Sequence, residues 1–270
     1  MSQHPATAAI DHGRWAEELL AAVDERREVE AISRRIDSPL PIEDAYAIQA
    51  ALLERLLGRG QQVVGAKLGL TSIAKQQQMN VDEPCYGWVL DHSLLPVVDG
   101  VASVAVDELI HPRVEPELVF VLAEDLAGPG VTADDVLDAT ARVVGGIEVI
   151  DSRYRAFSFT LPDVVADNTS AARVAIGTDG IEPRGVDLRD IECHFEIDGR
   201  VAGSATGAAL LGDPAGCVAM LANHLGRHGL SLRAGWVIPA GAPTDAQPVS
   251  RGTTATARYS HLSTVSVRGV

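Results

Sequence analysis

The chain has 270 residues, of which 46% are hydrophobic, and a formal net charge of −15 from 37 acidic and 22 basic residues. That length supports one large core or two modest lobes. The charge argues against a general binder of nucleic acid or anionic membrane, whose phosphates would repel most of this surface. An aromatic content of 4% leaves few stacking platforms for single strands.

The segment "MSQHPATAAIDHGRW" has neither a basic n-region nor an apolar h-region. No apolar run approaches the roughly 18 residues that span a bilayer. Cys85, Cys193 and Cys217 are scattered, with no CxxC pair. The expectation is a cytoplasmic protein with reduced, buried thiols.

Residues 12–60 read as helical. "WAEELLAAVDERREVEAISRRI" places Trp15, Leu19, Leu20 and Val23 at helical spacing, "DSPLP" interrupts, and "IEDAYAIQAALLERLLGRG" resumes with Gly58 and Gly60 as stop signals. From residue 63 short apolar runs alternate with Gly, Pro and Asp. Strands are expected at "VVGAKLGL", "LVFVLAEDL", "VVGGIEVI", "RVAIG", "WVIPAG" and "TVSVRGV", with a hairpin at Asp198-Gly199. Helices are expected at "TADDVLDATARV", capped by Thr132 with Asp135 in a box-like position, and at "DPAGCVAMLANHLGRHG". The pattern is α+β: an N-terminal helical region over 1–62 and a β-rich catalytic domain over 63–270, without repeats.

Several familiar motifs fail. "GRGQQV" lacks the third glycine and the preceding strand of a dinucleotide fingerprint, and no phosphate loop is present. "AGSATG" has the wrong spacing for a nucleophile elbow. His224 and His228 sit at i, i+4, but "HLGRH" lacks the glutamate of a zincin, so they read as ordinary surface histidines.

The carboxylates carry more. In "HPRVEPELVFVL", Glu115 and Glu117 are two apart and share one strand face, where they could chelate a cation or line a solvated edge strand that tolerates Pro116. Glu148 sits in the apolar run "VVGGIEVI", where an unpaired charge is costly. Three carboxylates without Cys or His suit a hard cation, Mg²⁺ or Mn²⁺. Asp151 has the other strand parity and is expected behind the ligands. Lys67 is the only charge in "GAKLGLTS", either a buried clamp or proton donor, or a snorkelling surface lysine. Asp167, Asn168, Thr169 and Ser170 form a polar cluster that reads equally as a cap or as pocket-lining donors.

Together, "GAKLGLTS", "HPRVEPELVFVL", "IEVIDSRY" and "VVADNTS" resemble, in this order, the 2-keto-4-pentenoate hydratase and 4-oxalocrotonate decarboxylase family of the fumarylacetoacetate hydrolase superfamily. The resemblance runs from about residue 12 to the C-terminus and includes "GAALLGDPAGCVAMLANHL". It implies a mixed-sheet roll behind an N-terminal helical region, and Mg²⁺ or Mn²⁺ on Glu115, Glu117 and Glu148. It also implies Lys67 as the active-site lysine, with Leu70, Ser72, Arg113, Asn168 and Ser170 as substrate contacts. Asp151, Arg153 and Asp167 would stand behind them. Arg113, Arg153, Arg155 and Lys75 are the candidate cations for an anionic substrate, Arg113 being alternatively a structural partner of the glutamates.

The decarboxylase branch fits better, through "AKQQQMNVDEPCYGWVLDHSLL" and "DSRYRAFSFTLPDVVADNTS". Hydratases of the family often carry an acid after the proline of "VDxP", where this chain has Cys85. The implied reaction is decarboxylation of a small dicarboxylic 2-oxo acid in the meta-cleavage pathway. The alternatives are the hydratase reaction, an acylpyruvate C–C hydrolase that His12 alone does not support, and a silent partner of a hydratase. The resemblance further implies a homo-oligomer, able to associate with the pathway hydratase.

Overall fold

Helix α1 (His12–Glu25) begins at Asp11, whose carboxylate accepts the Arg14 N–H, and ends at Arg26 in the left-handed region (φ 51°). These observations come from a computed structural model that describes residues 9–73, 76, 77 and 84–270. Lys75 and "VDE" of the "VDEP" segment lie outside the described residues. Helix α2 (Ile42–Gly58) follows Pro41, with Glu43 and Asp44 at its positive end. Between them the chain is not α-helical, contrary to the sequence reading. It forms a single bridge from Val29 to Tyr154 and a 3₁₀ turn at Ile32–Arg34. The reason is packing: Val29, Ala31 and Ile32 are buried in the same apolar cluster as Tyr154 and Val165, which an unbroken helix could not reach.

The body is two sheets. The larger contains β1 (Val63–Gly69), β2 (Cys85–Leu90), β3 (Leu94–Leu95), β5 (Arg113–Leu122), β6 (Thr140–Ile150), β7 (Ala171–Ile181), β10 (Val237–Pro239) and β11 (Gln247–Pro248). Its order is β2-β1-β10-β5-β6-β7-β3, with β11 also on β5. The smaller sheet runs β4-β13-β12-β8-β9, from β4 (Val101–Val104), β8 (Glu192–Ile197), β9 (Arg200–Thr206), β12 (Thr254–Tyr259) and β13 (Val265–Gly269). Phe120, Ile147, Phe195 and Val265 belong to the common core cluster and are fully buried. The β8–β9 turn has positive φ at both Asp198 (50°) and Gly199 (75°), the geometry that suits the twist of a tight hairpin.

Helix α3 (Ala133–Ala139) has the expected capping box at Thr132 and Asp135 but stops before Thr140. The expected helical "TARV" is the start of β6 instead, because Val143 and Val144 pair with β5 and are wholly buried there. Helix α4 (Leu161–Ala166) and strand β2 were not anticipated, and α5 (Pro214–Arg227) was. No helix among the described residues is long and apolar enough to cross a membrane.

β5 is interior, not a solvated edge. Pro116 survives there because β10 covers Val119–Val121 and β11 covers Arg113 and Val114, leaving a gap between. The Leu118 carbonyl accepts the Ala240 N–H on that side, so Pro116, two residues earlier, faces the gap and deprives no partner of a donor.

Candidate metal centre

Glu115 and Glu117 share a face of β5, and Glu148 of β6 lies directly opposite Glu115 in the ladder, so all three point the same way. Their carboxylate oxygens lie within 4.8 Å of one another. The side chains are almost closed to solvent, with residue exposures of 9%, 1% and 3%. Gly241 donates its N–H to Glu117 Oε2 at 2.6 Å. That approach requires glycine: φ is +119°, and a Cβ would lie 1.9 Å from Thr71 Oγ1.

Lys67 reaches the cluster from β1. It is 2% exposed, and its Nζ sits 2.7 Å from Glu148 Oε2 and donates to the Thr169 carbonyl at 3.1 Å. Burial pulls its pKa down, but Glu148, then Glu115 and Glu117, pull harder, and the net direction is upward: the ammonium stays charged. The lysine is buried, so the snorkelling alternative is excluded.

Among the described residues one ammonium meets three carboxylates. Burial, then the charges of Glu148 and Glu115, raise the Glu117 pKa well above its ordinary value, against the pull of Lys67 and the Gly241 N–H. A divalent cation relieves this strain. The donor set is all oxygen, which fits a hard ion such as Mg²⁺ or Mn²⁺ and not a thiophilic one.

A cleft of about 580 Å³ opens onto this cluster. Lys67, Leu70, Arg113, Glu115 and Ser170 line it, along with Cys85, Phe157, Phe159, Val164 and Asp245. The Ser170 hydroxyl is buried and has no hydrogen-bond partner among the described residues, as a donor reserved for a ligand would be. Burial pushes the Cys85 thiol up to about 11, against the pull of Lys67, which makes it a poor acid–base group.

Other expected contacts are placed differently. Ser72 is not among the residues lining the cleft. Asn168 spends its amide on β2: Oδ1 accepts the Trp88 N–H at 2.7 Å and Nδ2 donates to the Trp88 carbonyl at 3.0 Å. Asn168, Thr169 and Ser170 all have positive φ (49°, 53° and 55°), and this pinned turn is what aims the Thr169 carbonyl at Lys67.

Behind the turn lies a second charged cluster. Arg153 pairs through Nε with Asp167 Oδ1 and donates to the carbonyls of Asp167 and Asp151, the last at 2.6 Å. Asp151 accepts the N–H groups of Ile110 (2.9 Å) and His111 (2.8 Å). Arg155 is exposed and pairs with Glu30. His224 is no surface histidine: its ring packs 4.8 Å from Tyr86 and 5.4 Å from Tyr46. Burial, then His228 and Arg227, lower its pKa to about 4.

No protein-family model matches the chain. Over 225 residues, 83% of this chain and 84% of the relative, it is 44% identical to 4-oxalocrotonate decarboxylase of Pseudomonas sp. (strain CF600). It is 40% identical to 2-hydroxypent-2,4-dienoate hydratase of Pseudomonas putida over 80% of this chain and 96% of the relative. A solved structure of 4-oxalocrotonate decarboxylase from Pseudomonas putida G7, complexed with magnesium and adipate, superposes with a TM-score of 0.91. That protein is 38% identical, and the match covers 96% of this chain and 97% of the other. The chain belongs to the family of 4-oxalocrotonate decarboxylases and 2-keto-4-pentenoate hydratases.

Proposed function

We propose that this chain decarboxylates 2-oxohex-3-enedioate (4-oxalocrotonate) to 2-hydroxypenta-2,4-dienoate and CO₂ in the meta-cleavage breakdown of aromatic compounds. The observation that carries this reading is a buried cluster of three carboxylates and one ammonium opening onto a cleft of substrate size. The similarity to decarboxylases at 44% identity selects this reaction over hydration.

Glu115, Glu117 and Glu148 would hold Mg²⁺ or Mn²⁺, which when bound supplies a Lewis acid at the C1 carboxylate and C2 oxo group. The C5–C6 bond breaks and C6 leaves as CO₂. Its electron pair moves through the conjugated chain to the C2 oxygen. Lys67, kept cationic by its carboxylate neighbours, faces that developing oxyanion and supplies its proton. Ser170 offers a hydroxyl to a substrate oxygen. Leu70, Phe159 and Val164 give the cleft an apolar wall that suits the carbon chain of the substrate. Arg113, at the mouth, offsets the repulsion between a dianion and an acidic protein.

In cells we place the chain in the reduced cytoplasm, where Cys85, Cys193 and Cys217 stay free. We expect a homo-oligomer that associates with the hydratase using its product. The test is an assay of chelator-treated protein with 2-oxohex-3-enedioate, with and without added Mg²⁺. Mg²⁺-dependent CO₂ release is expected. Absence of CO₂ with turnover of 2-hydroxypenta-2,4-dienoate to the hydrated product would assign the chain to the hydratases instead.

A further inference from the structure

Among the described residues Arg113 is the one cation lining the cleft that makes no ion pair, since Lys67 is taken by Glu148. The Arg113 guanidinium carbon lies instead 4.3 Å from the centre of the Phe157 ring. Phe157 holds this place at a cost: Ala156 and Phe157 both have positive φ, 54° and 56°, a region that a bulky side chain rarely adopts.

The surroundings fix that conformation. Phe157 N–H donates to the Tyr154 carbonyl and Ser158 N–H to the Arg155 carbonyl, each at 3.1 Å. Ala156 N–H donates to Glu28 Oε1 at 2.9 Å, and the same oxygen lies 3.2 Å from His111 Nδ1. The His111 ring in turn packs 5.3 Å from Phe157. A strained turn, braced by a histidine and a glutamate, thus presents one aromatic face to one guanidinium.

We infer that Phe157 is a positioning residue, whose ring holds Arg113 ready for the distal carboxylate of a dicarboxylic 2-oxo acid and so sets a preference for dicarboxylates over monocarboxylates. The inference rests on the reading that a 2-oxo acid is chelated at the glutamates. Arg113 and Glu115 are two residues apart on one strand face, about 6.8 Å along the strand. A six-carbon chain gripped at its C1–C2 end therefore carries its far carboxylate toward Arg113. Stacking removes rotamer freedom from the arginine before binding. Arg113 is exposed, so water screens it: it orients the carboxylate without burying it, which suits a group that must leave.

The test is calorimetric binding to the full chain in Mg²⁺, comparing 2-oxohexanedioate with 2-oxohexanoate. The wild type should bind the diacid about tenfold more tightly, the worth of one charge-assisted hydrogen bond. Arg113→Gln should bring the two affinities together. Phe157→Gly, which suits the positive φ while removing the ring, should lower the preference about threefold. Phe157→Tyr should restore the preference, and Arg113→Gln with Phe157→Gly should be no worse than Arg113→Gln alone. An unchanged preference in Phe157→Gly overturns the inference. Failure of both 2-oxo acids to bind the wild type overturns the reading on which it rests.

Discussion

Two buried charge clusters lie back to back in this protein, joined by the turn at 167–170. In one, Arg153 answers Asp167 while the Asp151 carboxylate is satisfied by two backbone N–H groups. In the other, Lys67 is the one cation among the described residues that meets Glu115, Glu117 and Glu148. The first cluster gives each carboxylate a donor, although burial outweighs Arg153 and lifts the Asp167 pKa to about 6, and it acts as scaffold, holding the turn that delivers the Thr169 carbonyl to Lys67. Among the described residues the second has one ammonium for three carboxylates and faces a cleft, an arrangement that a bound cation would complete. Burial alone does not distinguish structural from functional charges; the leftover charge does.

The contrast can be broken from either side. The largest effect is expected at the scaffold: Arg153→Met leaves Asp167 buried without its partner and should cost about 3–5 kcal/mol of unfolding free energy. Urea denaturation measures it, and a loss under 1 kcal/mol would show that the pair is not structural. At the centre the expectation reverses. Glu115→Gln should lower kcat/KM about a thousandfold, roughly 4 kcal/mol of transition-state stabilisation, with no loss of metal-free stability. Steady-state kinetics and denaturation on the same sample separate the two.

Lys67→Met should lower kcat about a hundredfold, the lower range for a positioned acid. Its Mg²⁺ binding should persist, because the three carboxylates remain. Retained kcat would remove the lysine from the reaction. The smallest effect is expected at Asn168, whose amide serves the Trp88 backbone. Asn168→Ala should cost about 1–3 kcal/mol of stability and change KM less than twofold. A large KM change with intact stability would return it to the substrate.

The sequence made some of this legible because local rules coincide with global packing. Glu115, Glu117 and Glu148 were readable from strand parity and from a charge in an apolar run. The capping box at Thr132 and the hairpin at Asp198-Gly199 follow from turn chemistry that acts over three or four residues. Helix α4 was hidden because six residues are too few to show a period. Strand β2, "CYGWVL", is buried on both faces and does not alternate. Gly241 and Thr169 act through backbone atoms, which leave no mark in side-chain identity. Phe157 reads as one more aromatic until its backbone and its arginine are seen. Asn168 shows the converse: a polar cluster that could cap or bind uses this residue to tie a turn to a strand.

The most direct test is thermal unfolding of the wild type and Glu117→Gln, each with chelator and with Mg²⁺, at pH 5 and pH 8. In the metal-free fold the Glu117 pKa is raised above its ordinary 4.5. The stability it contributes is therefore present at low pH and lost as pH rises through the folded-state value. Metal-free Glu117→Gln should then be more stable than metal-free wild type, by roughly 1–4 kcal/mol at pH 8 and by less at pH 5. Mg²⁺ should raise the melting temperature of the wild type at pH 8 and leave that of the variant nearly unchanged. A wild-type melting temperature indifferent to Mg²⁺ would contradict the assignment of Glu115, Glu117 and Glu148 as a metal centre.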